Sequence, residues 1–195
     1  MNQTLKNTIL VFGLIGLLFA CGKDDTTPTT PAEENNNSSY STATSGYIII
    51  NSVRYPLTSA IQAMDIDTNG NFDFAPYRAS RIILYSDKPF VRQDSFISFD
   101  STAIVACYSY IFSKDVSSSL LGTFPISSEA DTSKNNMSWI FGFTPSTEEA
   151  LFEVDSGSIK FESLGNNTYK MEIQALSKDS TEVQVLLQGA MNDQP

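Results

Sequence analysis

This chain of 195 residues contains no histidine. That removes Ser-His-Asp and Cys-His catalysis and the usual zinc ligand sets. It has only two cysteines, Cys21 and Cys107. Basic residues are scarce, 12 against 22 acids, for a net charge of −10. So acidic a chain is repelled by nucleic acid and by anionic lipid, so neither is expected as a partner. No G-x-S-x-G, phosphate-binding loop or dinucleotide fingerprint occurs, and no repeat of solenoid type is visible. Acids are plentiful enough for a pair of catalytic carboxylates, but abundance alone is no evidence for one.

Long apolar runs are missing too, with one exception at the N-terminus. Ile9 to Ala20 is an unbroken stretch of apolar residues and glycine, preceded by the single cation Lys6 and no acid. It is too short for a bilayer span, which needs about 20 residues, and it fits the apolar region of a secretory signal. Residues 1–20 are therefore expected to be a signal peptide. Leu18-Phe19-Ala20-Cys21 resembles the bacterial lipobox, in which diacylglycerol is attached to the cysteine and cleavage falls just before it. That resemblance implies that Cys21 is the first mature residue and the lipid anchor. Chain lipids contribute about 0.8 kcal/mol per buried CH₂, so two or three acyl chains hold firmly. Lys23-Asp24-Asp25, directly after the cysteine, resembles the export signal of Bacteroidetes surface lipoproteins. It implies an outer-membrane anchor with the domain facing outward.

Residues 21–45 hold the anchor cysteine and a polar, Pro/Thr/Asn/Ser-rich tract almost without large apolar side chains. Such a tract cannot bury enough surface to offset its ordering entropy and reads as a disordered tether, with a span of roughly 25–30 Å as a flexible coil. Residues 46–195 are the right length for one domain with a core.

In that domain the period is two. Tyr169 to Ala175 alternates apolar and polar, as does Glu182 to Val185, with turn chemistry at Ser177 to Ser180. Ile159 and Phe161 point to one side of an earlier strand, and Leu164 to Asn167 turns the chain. Pairing Phe161 with Tyr169 and Ile159 with Met171 places all four on one face. Further strands are expected at 47–50, 54–57, 81–86, 95–99, 103–112, 121–125 and 139–143, and a short helix at Ser146 to Phe152. Many short strands between Gly, Asn, Asp and Ser turns predict an all-β, single antiparallel β-sandwich or flattened barrel. The Gly122-Thr123-Phe124 turn and the closing meander also look like small β lipoproteins of Bacteroidetes.

One stretch carries possible ligand chemistry. Asp65, Asp67, Asn69, Gly70 and Asp73 resemble positions one, three, five, six and nine of an EF-hand-type calcium loop. Position twelve departs from it, being Pro76 in place of the bidentate glutamate. The plain alternative is a solvated hairpin tip. A three-residue loop Asn69-Gly70-Asn71 would pair Thr68 with Phe72 and Ile66 with Phe74, setting Asp67 opposite Asp73. Opposed like charges destabilise a strand pair, and a calcium ion would relieve them. Calcium is the one cofactor the sequence offers.

Cys107 lies in an apolar strand and is expected to be a buried structural thiol. The chain is rich in rings, with 13 Phe, 8 Tyr and one Trp. Most must be core, while Trp139, alternating with Phe141, fits core or platform equally. Asp25-Thr26-Thr27, Asp100-Ser101-Thr102 and Asp179-Ser180-Thr181 resemble the O-glycosylation motif of Bacteroidetes extracytoplasmic proteins, which implies modification at Thr26, Ser101 and Ser180. The expected function is a non-catalytic binding or accessory module with a glycan or protein ligand. Glycan capture is implied by the resemblance to surface lipoproteins. The rivals are a lipocalin-like carrier of an apolar ligand and a carboxylate-based hydrolase.

Overall fold

The structure, a computed structural model, describes residues 44–70, 75–93, 96–117, 119–127 and 133–193. Among these residues the chain is all strand and turn. The strands are β1 (Thr44–Ile50), β2 (Val53–Leu57), β3 (Ser59–Ile66), β4 (Ala79–Ser86), β5 (Val91–Gln93), β6 (Phe96–Ser98) and β7 (Ala106–Ser113), followed by β8 (Gly122–Pro125), β9 (Asn136–Thr144), β10 (Glu149–Gly165), β11 (Thr168–Ser177), β12 (Glu182–Ala190) and β13 (Asn192–Asp193). Eleven of them form one curled sheet, and β5 and β6 make a separate hairpin. The all-β expectation holds. All pairings are antiparallel except that of β13 with β3.

Two strands let one sheet wrap a core. The first residues of β10, Glu149 to Glu153, pair with β9, and its remainder pairs with β11 and β8. The bend lies at a bulge between Val154 and Ser156, next to Gly157 at φ 129°. After β12 the chain crosses at Met191 and continues as β13 on the far edge of β3. The result is two facing halves: β13, β3, β4, β7 and β9 in one, and β8, β11, β12, β1 and β2 in the other. Between them Ile83, Tyr85, Ile111 and Ile140 meet Ile159, Phe161, Met171 and Leu187, all buried in a single cluster.

Local chemistry explains the turns. Asn51 and Ser52 sit at φ 47° and 69°, and Asn166 and Asn167 at 50° and 56°. Two left-handed residues are what a two-residue hairpin loop needs if its twist is to match the strands, and asparagine tolerates that region best after glycine. In the edge strand β2, Val53, Tyr55 and Leu57 share hydrogen-bonding register with β1, so Arg54 and Pro56 face outward. Proline has no N–H to offer there, which blunts the exposed edge against further strand pairing.

Four expectations need correction. Ser146 to Phe152 is not a helix: residues 145–148 are a turn, with Glu148 at φ 55°, and Glu149 already starts β10. Phe152 alternates inward there and covers Gly142 of β9. The β10–β11 register is displaced by two, with Phe161 opposite Met171 and Ile159 opposite Ile173. A two-residue turn and an irregularity between Ser163 and Gly165 take up the difference. The face of every side chain survives, because the shift is even. The strand β3 was not foreseen, since SAIQAMDI is poor in β-branched and aromatic residues. Finally, β1 begins at Thr44, so Thr44 and Ser45, read as tether, pair with Gly189 and Gln188.

Candidate functional site

The expected acidic loop is not a three-residue hairpin. Ile66 pairs with Ala79 and Asp65 with Ser80, and the Asp67 N–H donates to the Arg78 carbonyl at 2.7 Å. Residues 67–78 are thus a long connection between β3 and β4, and the pairing of Ile66 with Phe74 does not form. Asp67 is nearly buried, and its Oδ1 accepts from the Asn69 N–H at 2.9 Å, an Asx turn that leads into Gly70 at φ 76°. Asp65 is exposed on the strand before it. Asp73 lies outside the described residues, among which no group of three metal-ligating side chains converges. Cys21, Lys23, Asp24, Asp25 and Thr26 also lie outside the described residues.

The other two modification candidates share one geometry. Asp100 accepts from both the N–H and the hydroxyl of Thr102 at 2.7 Å. Asp179 accepts from the Thr181 N–H at 3.2 Å and from the Ser177 hydroxyl. Each aspartate closes a turn whose middle residue, Ser101 or Ser180, is exposed. The Ser177 hydroxyl and then Thr181 hold the Asp179 carboxyl below its ordinary 3.8. A carboxyl depressed by folding stabilises above the unfolded value, and that stabilisation is lost as pH falls through the folded value. Asp179→Asn keeps the acceptor but not the charge. It should leave the urea midpoint flatter than wild type as pH falls below the ordinary 3.8, and parallel curves would show that the turn carries no such linkage.

Cys107 is fully buried on the inner face of β7, as expected. Burial drives its thiol far upward, and the Tyr85 hydroxyl beside it bonds Ser109 Oγ at 2.9 Å. A thiol so far from ionising is no nucleophile.

The feature that sequence reading undervalued lies on the opposite face. Tyr108, Tyr110 and Phe112 of β7 alternate with the core residues, as do Trp139, Phe141 and Phe143 of β9. Register sets Tyr110 beside Trp139 and Tyr108 beside Phe141. Six rings thus stand in two rows on the outer face. Successive centroids along β7 are 6.2 and 5.8 Å apart, along β9 6.0 and 5.7 Å, and Tyr110 lies 5.3 Å from Trp139. Ile82 and Leu84 of β4 continue the face. One end is closed by Phe99, edge-on to Tyr108 and Phe143 and backed by the buried Phe90. The other end is closed by Tyr77 against Phe112. Asp87 anchors the strap that carries Phe90 and Phe99, its Oδ1 accepting from the N–H groups of Ile104 and Val105 at 3.0 and 3.1 Å. Between the two ends, Ile82, Leu84, Tyr108, Tyr110, Trp139 and Phe141 are only half-buried.

The outer face of the other half differs in kind. Lys160, Glu162, Lys170 and Glu172 form a charge checkerboard across β10 and β11, with Lys160 and Glu162 3.0 Å apart and Lys170 paired to Glu172. That is ordinary solvated sheet surface. The alternation of rings in β7 and β9 was legible, but both faces of these strands are apolar, so spacing alone did not say which rings are core. No family model, curated protein or solved structure matches the chain.

Proposed function

We propose that the chain is an outer-membrane, surface-exposed lipoprotein whose β domain is a non-catalytic binding module engaged in glycan capture. The membrane address rests on the resemblance of Leu18 to Cys21 to a lipobox and of Lys23 to Asp25 to an export signal. The observation that carries the binding reading is the ringed outer face of β7 and β9, only half-buried at its centre while the opposite half presents charge. Contiguous apolar surface on a soluble domain marks a contact site more often than it marks bare surface. The packed interior favours a binder over a carrier, since inward side chains of both halves fill the space a lipocalin-like ligand needs. The absence of histidine and the burial of Cys107 leave no histidine- or cysteine-based catalysis.

The test is capture by whole cells. Cells carrying the wild-type chain should retain a fluorescent polysaccharide and release it at its original length. Cys21→Ser should shed the protein from the membrane and abolish retention. Replacing Lys23, Asp24 and Asp25 together by alanine should keep the lipid but lose retention and protease accessibility. Retention equal to cells lacking the gene, or shortened glycan in the medium, would sink the reading.

A further inference from the structure

Hydroxyl groups stranded among the rings say what chemistry the face takes. Tyr108 and Tyr110 lie side by side in the middle of it, their rings 6.2 Å apart, and neither phenol has a hydrogen-bond partner among the described residues. Burial pushes both phenols above their ordinary 10.0, yet neither oxygen is among the buried unbonded atoms, so both keep access to water. A ligand that covered these phenols without bonding them would strip their water at a cost, so the occupant must bring hydrogen-bonding groups of its own.

Charge narrows the occupant. Asp65 and Glu153 lie at the margins of this face, opposite Ser80 and Phe141, and its middle rows carry no charged side chain. A polyanion would be repelled by a chain of net charge −10 and would find no cation on the face. An apolar peptide or a lipid tail would cover the rings and leave the phenols unbonded. A pyranose ring offers apolar C–H groups on its faces and hydroxyls at its rim, which answers both needs. We infer that the trough formed by Leu84, Tyr108, Tyr110, Trp139 and Phe141 binds an uncharged oligosaccharide, with the Tyr108 and Tyr110 hydroxyls as its hydrogen-bonding groups. This rests on the glycan-capture reading above and names its site and ligand class.

The experiment uses the full acylated chain in micelles of a detergent without a sugar headgroup. Cellohexaose, xylohexaose, mannohexaose and maltohexaose are titrated alongside oligogalacturonate and a heparin hexasaccharide. Trp139, the only tryptophan, reports directly from the face. At least one neutral hexasaccharide should shift its emission and bind by calorimetry. The double variant Tyr108→Phe/Tyr110→Phe, which keeps both rings, should weaken that binding at least tenfold, and Phe141→Ala should do the same. Neutral-sugar binding unchanged in both variants would overturn the site while leaving glycan capture intact. Binding of only the anionic sugars would overturn the ligand class. No binding of any sugar, or self-association through the face on sedimentation, would overturn the inference even where whole cells still retain polysaccharide through another partner.

Discussion

Gly157→Ala is expected to remove a large share of the stability of the domain. At φ 129° the backbone is in a region that side-chain-bearing residues rarely adopt, which costs about 1–3 kcal/mol. A Cβ there would also lie within the van der Waals radius of the Gln174 carbonyl oxygen and 2.7 Å from the Ala175 Cα. Both are backbone atoms of the paired strand β11, so neither can rotate away, and forcing the strands apart adds about 1–3 kcal/mol. The sum is a large share of the 5–15 kcal/mol typical of a domain. Gly122 is the control: its φ of 122° is similar, but nothing lies within 4 Å of the added carbon. Gly122→Ala should therefore show the strain without the clash. Urea unfolding of both variants separates the two effects, and equal midpoints would mean that β10 and β11 part freely at the bend.

Phe161→Ala should cost about 3–5 kcal/mol, the range for emptying a fully buried aromatic site. Phe161 is 0% exposed, lies opposite Met171 and stacks on Tyr169 at 5.2 Å with the rings nearly parallel. The Arg81 guanidinium stands 5.3 Å over the same ring, so β4 of the facing half also loses a contact. The cavity would open where the two halves meet. Phe96→Ala offers the contrast, since its ring is 53% exposed at the β5–β6 hairpin and should change stability by no more than about 0.5 kcal/mol. Chemical denaturation of the pair checks both values. A Phe161→Ala loss below about 1 kcal/mol would show that the halves close over the gap.

The candidate site was partly legible. Alternating rings in β7 and β9 announce two-faced strands, and Trp139 with Phe141 was recognisable as a possible platform. Which set faces the core depends on what packs on each side, and that is a property of distant segments. Ile159 and Phe161 claim the inner face from β10, while Phe99 and Tyr77 reach the outer one from loops. The acidic stretch shows the opposite failure. Its spacing suggested that Ile66 pairs with Phe74, yet local spacing does not bind register, and Ile66 pairs with Ala79.

By itself the sequence determined that the domain is all-β, where its closing asparagine turn lies and which face of each strand in the closing meander points inward. These follow from side-chain alternation and left-handed backbone preferences, which act within a few residues. The tertiary structure alone decided that one sheet wraps itself, because the bend at Gly157 and the crossing at Met191 are settled by partners far away in the chain. It also decided that six rings gather on an outer face, since strands that bury one side completely must leave the other side to whatever the loops bring over it.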